Sequence, residues 1–272
     1  MQISMAGRIA LITGGSKGLG YAMGMKFAEC GAEVALVSRN KEEVARAAKE
    51  ISTISSQRCL GYVGDVSNAA DIETIFKQVT DDFGRVDVLV NNAGYAIPST
   101  FDSTSMEDEE KFIRVLGISV IALSKIFIPK MIKNKHGKIM IVSSVAAFAP
   151  PSSIQTLYGP IKTFMNRFSE SININYNHIG ITSTAVCPGY TITEFHSSSG
   201  VQDEMDRVPS FLKKSAKRIA KEAKKKFTPA ISLNKTLHLD DTEAIIEKNR
   251  SKQRTNKSRG NIKSLLSEDM FD

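Results

Sequence analysis

Short apolar runs recur along the chain, separated by longer stretches in which apolar residues return every three or four positions. The short runs predict strands at Arg8–Thr13, Glu33–Ser38, Arg58–Gly64, Val86–Asn91, Lys138–Ser143 and Ile181–Cys187. They are almost unbroken in Val, Ile, Leu and Ala, the pattern of strands covered on both faces. The helical spacing predicts helices near Gly18–Cys30, Lys41–Ser55, Ala69–Phe83, Glu107–Asn134 and Leu157–Asn177. Strand and helix alternate throughout. That predicts an α/β chain, a doubly wound parallel sheet between two layers of helices. Right-handed crossovers bring the strand C-termini to one edge, where a site is expected.

The pattern fades after residue 227. Residues 228–272 are rich in Asn, Lys, Ser and Arg and are expected to form a divergent, weakly ordered polar tail behind a domain spanning 1–227. Thr228–Leu233 makes a poor strand, which leaves a seventh strand doubtful. The first ten residues lack the basic start and apolar run of a secretion signal. No run reaches the roughly 18 apolar residues of a membrane span. Cys30, Cys59 and Cys187 are odd in number and widely spaced, and His136, His178, His196 and His238 show no ligand spacing, so no metal is expected. The cysteine usage fits a reducing, cytoplasmic setting.

The formal charge of +7 has one source: residues 207–226 hold nine basic residues against a single acid, Glu222. Apolar residues at 212, 216, 219, 220, 223 and 227 form one helical stripe opposite the lysines. Either the lysine face is solvated, or the helix makes a weak contact with an anionic membrane surface. No nucleic-acid recognition motif accompanies it, so no nucleic-acid partner is expected.

The first strand runs into Thr13-Gly14-Gly15-Ser16-Lys17-Gly18-Leu19-Gly20, and a helix follows. Glycines there let a backbone approach a pyrophosphate, which the free N–H groups of the helix start then bind. Gly14, Ser16, Lys17, Gly18, Leu19 and Gly20 are therefore candidate cofactor residues. The second strand ends in Ser38-Arg39-Asn40, with none of the acid an NAD site usually carries there. Arg39 and Lys17 could instead hold the 2′-phosphate of NADP(H), or Arg39 could be a solvated loop charge. Asp65, followed by Val66, could meet an adenine or cap the next helix. Asn92, Ala93 and Gly94 leave room for a flat ligand at the sheet edge.

Ser143-Ser144 ends the fifth strand, and Tyr158 and Lys162 follow one helical turn apart. An ammonium beside a phenol would lower its pKa from about 10 and make Tyr158 a usable general acid or base. Ser144 could bind the substrate oxygen.

Together, T-G-x-x-x-G-x-G, N-N-A-G, Ser144, Y-x-x-x-K and Pro188-Gly189-x-x-x-Thr193 resemble the short-chain dehydrogenase/reductase family over roughly residues 7–226. The stretch from Cys187 to His196 is similar to a bacterial-type reductase subgroup. The resemblance implies a Rossmann-like α/β/α sandwich, usually with seven strands, and an oxidoreductase moving hydride between NADP(H) and a ketone, aldehyde or alcohol. It implies that Tyr158 is the general acid, that Lys162 tunes it and holds the nicotinamide ribose, and that Ser144 orients the carbonyl. Asn92, Ala93 and Gly94 would lie along the cofactor, with Pro188, Gly189 and Thr193 at its nicotinamide end. It implies a small-molecule substrate and a homo-oligomer built on the helices at 107–134 and 157–177. Phe101, Phe148, Tyr190, Phe195 and Leu212 fall in loops that could line a pocket for an apolar substrate, or could be ordinary core. One departure stands out. Arg114, three residues before Gly117, takes the place of a family Asn in the proton relay. Arg114 either turns outward or fills the relay site. In the second case the chain would be a cofactor-binding pseudoenzyme acting as sensor or scaffold.

Overall fold

A computed structural model describes residues 4–150, 156–193, 206, 213–224 and 237–238. Its strands are β1 (Ile9–Thr13), β2 (Glu33–Ser38), β3 (Cys59–Val63), β4 (Val88–Asn91), β5 (Gly137–Val142) and β6 (Ile181–Cys187). The helices between them are α1 (Gly18–Ala28), α2 (Lys41–Ser55), α3 (Ala69–Phe83), α4 (Met106–Ile113), α5 (Ser119–Lys133) and α6 (Tyr158–Tyr176). Strand order in the sheet is 3-2-1-4-5-6, and every pairing is parallel. The order reverses beside β1, so the C-terminal ends of β1 and β4 flank a crevice open to a ligand.

Each sheet face carries its own core. Leu11, Ala35, Leu89, Phe112 and Phe127 pack on one side, and Ile12, Met23, Phe27, Ile51 and Val88 on the other. Neighbouring strand residues thus serve opposite layers, which is why the strands read as continuous apolar runs. Local signals set the helix ends. Asn40 accepts from Glu43 N at 2.9 Å and Asn68 accepts from Ala70 N at 2.9 Å, capping α2 and α3. Ser105 and Asp108 form a reciprocal capping box on α4.

The helix expected over Glu107–Asn134 is α4 and α5 joined by a π-helical turn, Arg114–Ile118. This 28-residue helix is long and apolar enough to cross a membrane, although Lys125 and Lys130 interrupt its apolar run. More than half of its most apolar stretch is buried against the rest of the protein, as in a core helix.

The end of the chain departs from expectation. A seventh sheet position exists, taken by β9 (Leu237–His238) beside Val186 and Cys187; Thr228–Leu233 lies outside the described residues. Two further residues pairs, β7 (Thr191–Ile192) and β8 (Lys214–Ser215), form a small parallel ribbon. The basic helix is α7 (Ala216–Lys224). Its Ile219, Ala220 and Ala223 are buried in the core cluster around α1. Its apolar face is therefore already covered and is not available to insert into a membrane, which leaves the lysine face toward solvent. Leu212 and Phe227, and most of the tail, lie outside the described residues.

Candidate active site and cofactor cleft

A cleft of about 1130 Å³ runs along the C-terminal edge of the sheet, larger than the roughly 300–1,000 Å³ of ordinary small-molecule sites. At one end it is floored by the turn between β1 and α1. Gly14 adopts φ +62°, and a Cβ there would come within 3.0 Å of Ala93 Cα. The N-terminus of α1 opens onto the cleft at Gly18, with Ser16, Lys17 and Leu19 beside it. Its free N–H groups and the small residues at Gly14, Gly18 and Gly94 fit a pyrophosphate-bearing dinucleotide. Gly20 does not line the cleft. A Cβ on it would sit 2.2 Å from Gly14 O and 2.6 Å from Asn92 Nδ2, so its task is to let α1 pack under the turn.

Thr13, at the head of the glycine motif but given no role by its spacing, ties the edge together. Buried Thr13 Oγ1 accepts from the backbone N–H groups of Asn92 at 3.0 Å and Ala93 at 3.1 Å. Asn92 Nδ2 answers by donating to Thr13 O at 2.9 Å and Gly14 O at 3.1 Å. The glycine turn and the Asn92–Gly94 segment are thereby locked to one another across the β1–β4 crevice.

At the end of β2, Arg39 lines the cleft 4.0 Å from Asp65 Oδ2. Burial pushes the Asp65 carboxyl up, but hydrogen bonds from the Ser67 amide and hydroxyl and the nearby Arg39 outweigh it and leave the pKa lowered. Asn68, and not Asp65, caps α3; Asp65 and Val66 line the cleft. The reading from sequence found no acid here. The structure supplies one from α2: Glu43 reaches the cleft, accepts from Ser16 Oγ at 3.2 Å and lies 4.0 Å from Lys17 Nζ.

The other end of the cleft brings together Ser144, Tyr158 and Lys162, with Pro188, Gly189 and Thr193 alongside. Ser144 caps a short turn, its Oγ accepting from Ala146 N at 3.1 Å, and hydrogen-bonds the Tyr158 hydroxyl. Tyr158 opens α6, and Phe112 packs against its ring at 6.4 Å between centroids. Pro160 falls in the first turn of α6, where no N–H is needed. Lys162 is only 6% exposed, and Nζ donates to Val142 O at 2.8 Å. Ser143, likewise missed from sequence, fixes this turn of α6 by donating to Lys162 O at 3.0 Å.

The electrostatics differ from expectation. Burial pushes Tyr158 up to about 12, with the Ser144 hydroxyl pulling the other way. Burial pushes Lys162 down to about 8. The ammonium lies over the tyrosine ring, 5.4 Å from its centroid, and its hydrogen bond goes to the Val142 carbonyl. Desolvation therefore wins over the lysine at the phenol, and Tyr158 holds its proton at neutral pH.

Arg114 also departs from the relay expectation. It is exposed and absent from the cleft wall, whereas Val115 lines the cleft and Leu116 lies 3.7 Å from where a Gly94 Cβ would be. Helical rotation turns Arg114 away from the face that meets α6, so it does not fill the relay site. The pseudoenzyme reading rested on that placement and loses its ground.

A glycine turn under a helix N-terminus and a Ser-Tyr-Lys group, at the two ends of one sheet edge, define a dinucleotide-dependent oxidoreductase architecture. The family profile described as short chain dehydrogenase matches residues 8–204, and the chain belongs to that family. Oxidoreductase UcpA of Salmonella typhimurium is 32% identical over 215 residues, covering 79% of this chain and 81% of that protein. The (2S)-[(R)-hydroxy(phenyl)methyl]succinyl-CoA dehydrogenase subunit BbsD of Thauera aromatica is 34% identical, covering 67% and 72%. Among solved structures, 3-ketoacyl-(acyl-carrier-protein) reductase of Brucella melitensis, complexed with NADH, aligns with a TM-score of 0.79 at 25% identity, covering 87% of this chain and 98% of that one. Gluconate 5-dehydrogenase of Burkholderia cenocepacia, in complex with NADP and tartrate, aligns at 0.73 and 25% identity, covering 82% and 88%.

Proposed function

We propose that this oxidoreductase reduces a ketone or aldehyde on a small, apolar molecule, using NADP(H), with Tyr158 as proton donor. The observation that carries the reading is the convergence of Ser144, Tyr158 and Lys162 at one end of a cleft whose other end is the glycine turn. A bound nicotinamide dinucleotide would supply the hydride. Gly14, Ser16, Lys17, Gly18 and Leu19 would hold its pyrophosphate, Arg39 and Lys17 its 2′-phosphate, and Asn92, Ala93, Gly94, Pro188, Gly189 and Thr193 its nicotinamide half.

The chain's own groups then divide the remaining work. Tyr158 keeps its proton at pH 7 and can give it to a carbonyl oxygen, aided by a second hydrogen bond from Ser144. Lys162, held near the ring and charged below about pH 8, stabilises the phenolate left behind. Val145, Ala146, Ala147, Pro150 and Tyr190 give this end of the cleft an apolar wall, which supports an apolar substrate. Ile118, Phe164 and Ile174 are exposed on the helices expected to build an oligomer. Three buried cysteine thiols support a reducing compartment, hence a cytoplasmic enzyme.

The test is oxidation of reduced dinucleotide against a panel of ketones and aldehydes, beside dinucleotide binding followed by fluorescence. Tyr158→Phe should lose at least about 10²-fold in turnover while still binding dinucleotide. Equal turnover in the variant, or no dinucleotide binding by the native chain, would overturn the proposal.

A further inference from the structure

At the adenosine end of the cleft each cation faces a carboxylate: Lys17 Nζ lies 4.0 Å from Glu43 Oε1, and Arg39 lies 4.0 Å from Asp65 Oδ2. The positive charge that favours a 2′-phosphate is thus partly offset, with both cations still half or more open to solvent. Glu43 is held there by its surroundings. Its amide is tied to the Asn40 cap at 2.9 Å, which aims the first turn of α2 back at the glycine turn. Its carboxylate accepts from Ser16 Oγ, which lies 3.0 Å from Ser38 Oγ. Glu43, Ser16 and Ser38 therefore form a continuous polar chain at the end of β2, the place where dinucleotide folds read the ribose. A carboxylate there accepts from a 2′-hydroxyl and repels a 2′-phosphate.

We infer that Glu43 sets the cofactor specificity of the cleft. It moderates the pull of Lys17, so that NADPH is preferred over NADH by no more than about tenfold. The inference rests on reading the cleft as a dinucleotide site. Asp65 offsets Arg39 through Oδ2, while Ser67 engages its Oδ1 through both amide and hydroxyl.

Calorimetric titration with adenosine 2′,5′-bisphosphate and adenosine 5′-monophosphate isolates this end of the cleft from catalysis. The native chain should bind the two within about tenfold. Glu43→Gln should tighten the bisphosphate about tenfold without tightening the monophosphate, and raise the NADPH:NADH ratio of kcat/KM by a similar factor. Glu43→Asp keeps the charge and should stay near the native ratio. An unchanged ratio in Glu43→Gln, or equal weakening of both fragments, overturns the assignment of Glu43. Failure of the native chain to bind either fragment or either dinucleotide overturns the dinucleotide reading itself.

Discussion

Lys162→Met should stabilise the protein while abolishing its turnover. The ammonium is almost fully buried and its pKa is depressed from 10.5 to about 8. At pH 7 the folded chain carries a charge that burial disfavours by about 3 kcal/mol, taking about 1.4 kcal/mol per pKa unit. Losing the hydrogen bond to Val142 O returns about 1–2 kcal/mol of that. The net expectation is a gain of about 1–2 kcal/mol for the variant at pH 7. The sign of the pH dependence follows from the same shift. Between about pH 8 and 10.5 the unfolded chain binds more protons at this lysine than the folded one. Native stability therefore rises with pH through that window, and the burial penalty falls to about 1 kcal/mol by about pH 9.5. Urea unfolding of both proteins at about pH 7 and about pH 9.5 cancels the groups they share. The native chain should gain about 2 kcal/mol on the variant between the two conditions. A variant less stable at pH 7, with a gap that does not move with pH, would show that the buried lysine is not desolvated as described.

Gly20→Ala forces a Cβ to within 2.2 Å of Gly14 O, and backbone cannot yield as a side chain can. It should cost about 2 kcal/mol, lower the melting temperature by about 5 °C and weaken dinucleotide binding at least about tenfold; thermal melts and fluorescence titration read both. Arg114→Asn alters an exposed side chain turned from the cleft. Stability should stay within about 0.5 kcal/mol and turnover within about twofold, so a large gain in rate would restore Arg114 to the relay.

Much of this architecture was legible because its signals are local. Buried parallel strands leave no polar alternation, so Ile9–Thr13 and Glu33–Ser38 stand out as apolar runs. Asn40, Asn68 and Ser105 mark helix starts within a few residues of chain. The glycine turn, Ser144, Tyr158 and Lys162 were found by spacing, and parallel topology brings them to one edge.

What spacing could not decide was direction and depth. Arg114 and Leu116 are two residues apart, yet a π-helical turn sends one to solvent and the other against Gly94. Glu43 reads in the sequence as an ordinary acid in a helix's first turn; only the packing of α2 beside the glycine turn places its carboxylate on Ser16. The Tyr158–Lys162 spacing predicted a lowered phenol, but burial, which depends on every neighbouring element, raised it to about 12. Whether the apolar stripe of α7 is open or covered likewise depended on α1, some 190 residues earlier in the chain. Fold class and the spacing that singles out the candidate groups are properties of local pattern and residue chemistry. Desolvation, side-chain direction and charge pairing are sums over contacts distant in sequence, and the tertiary structure alone decided them.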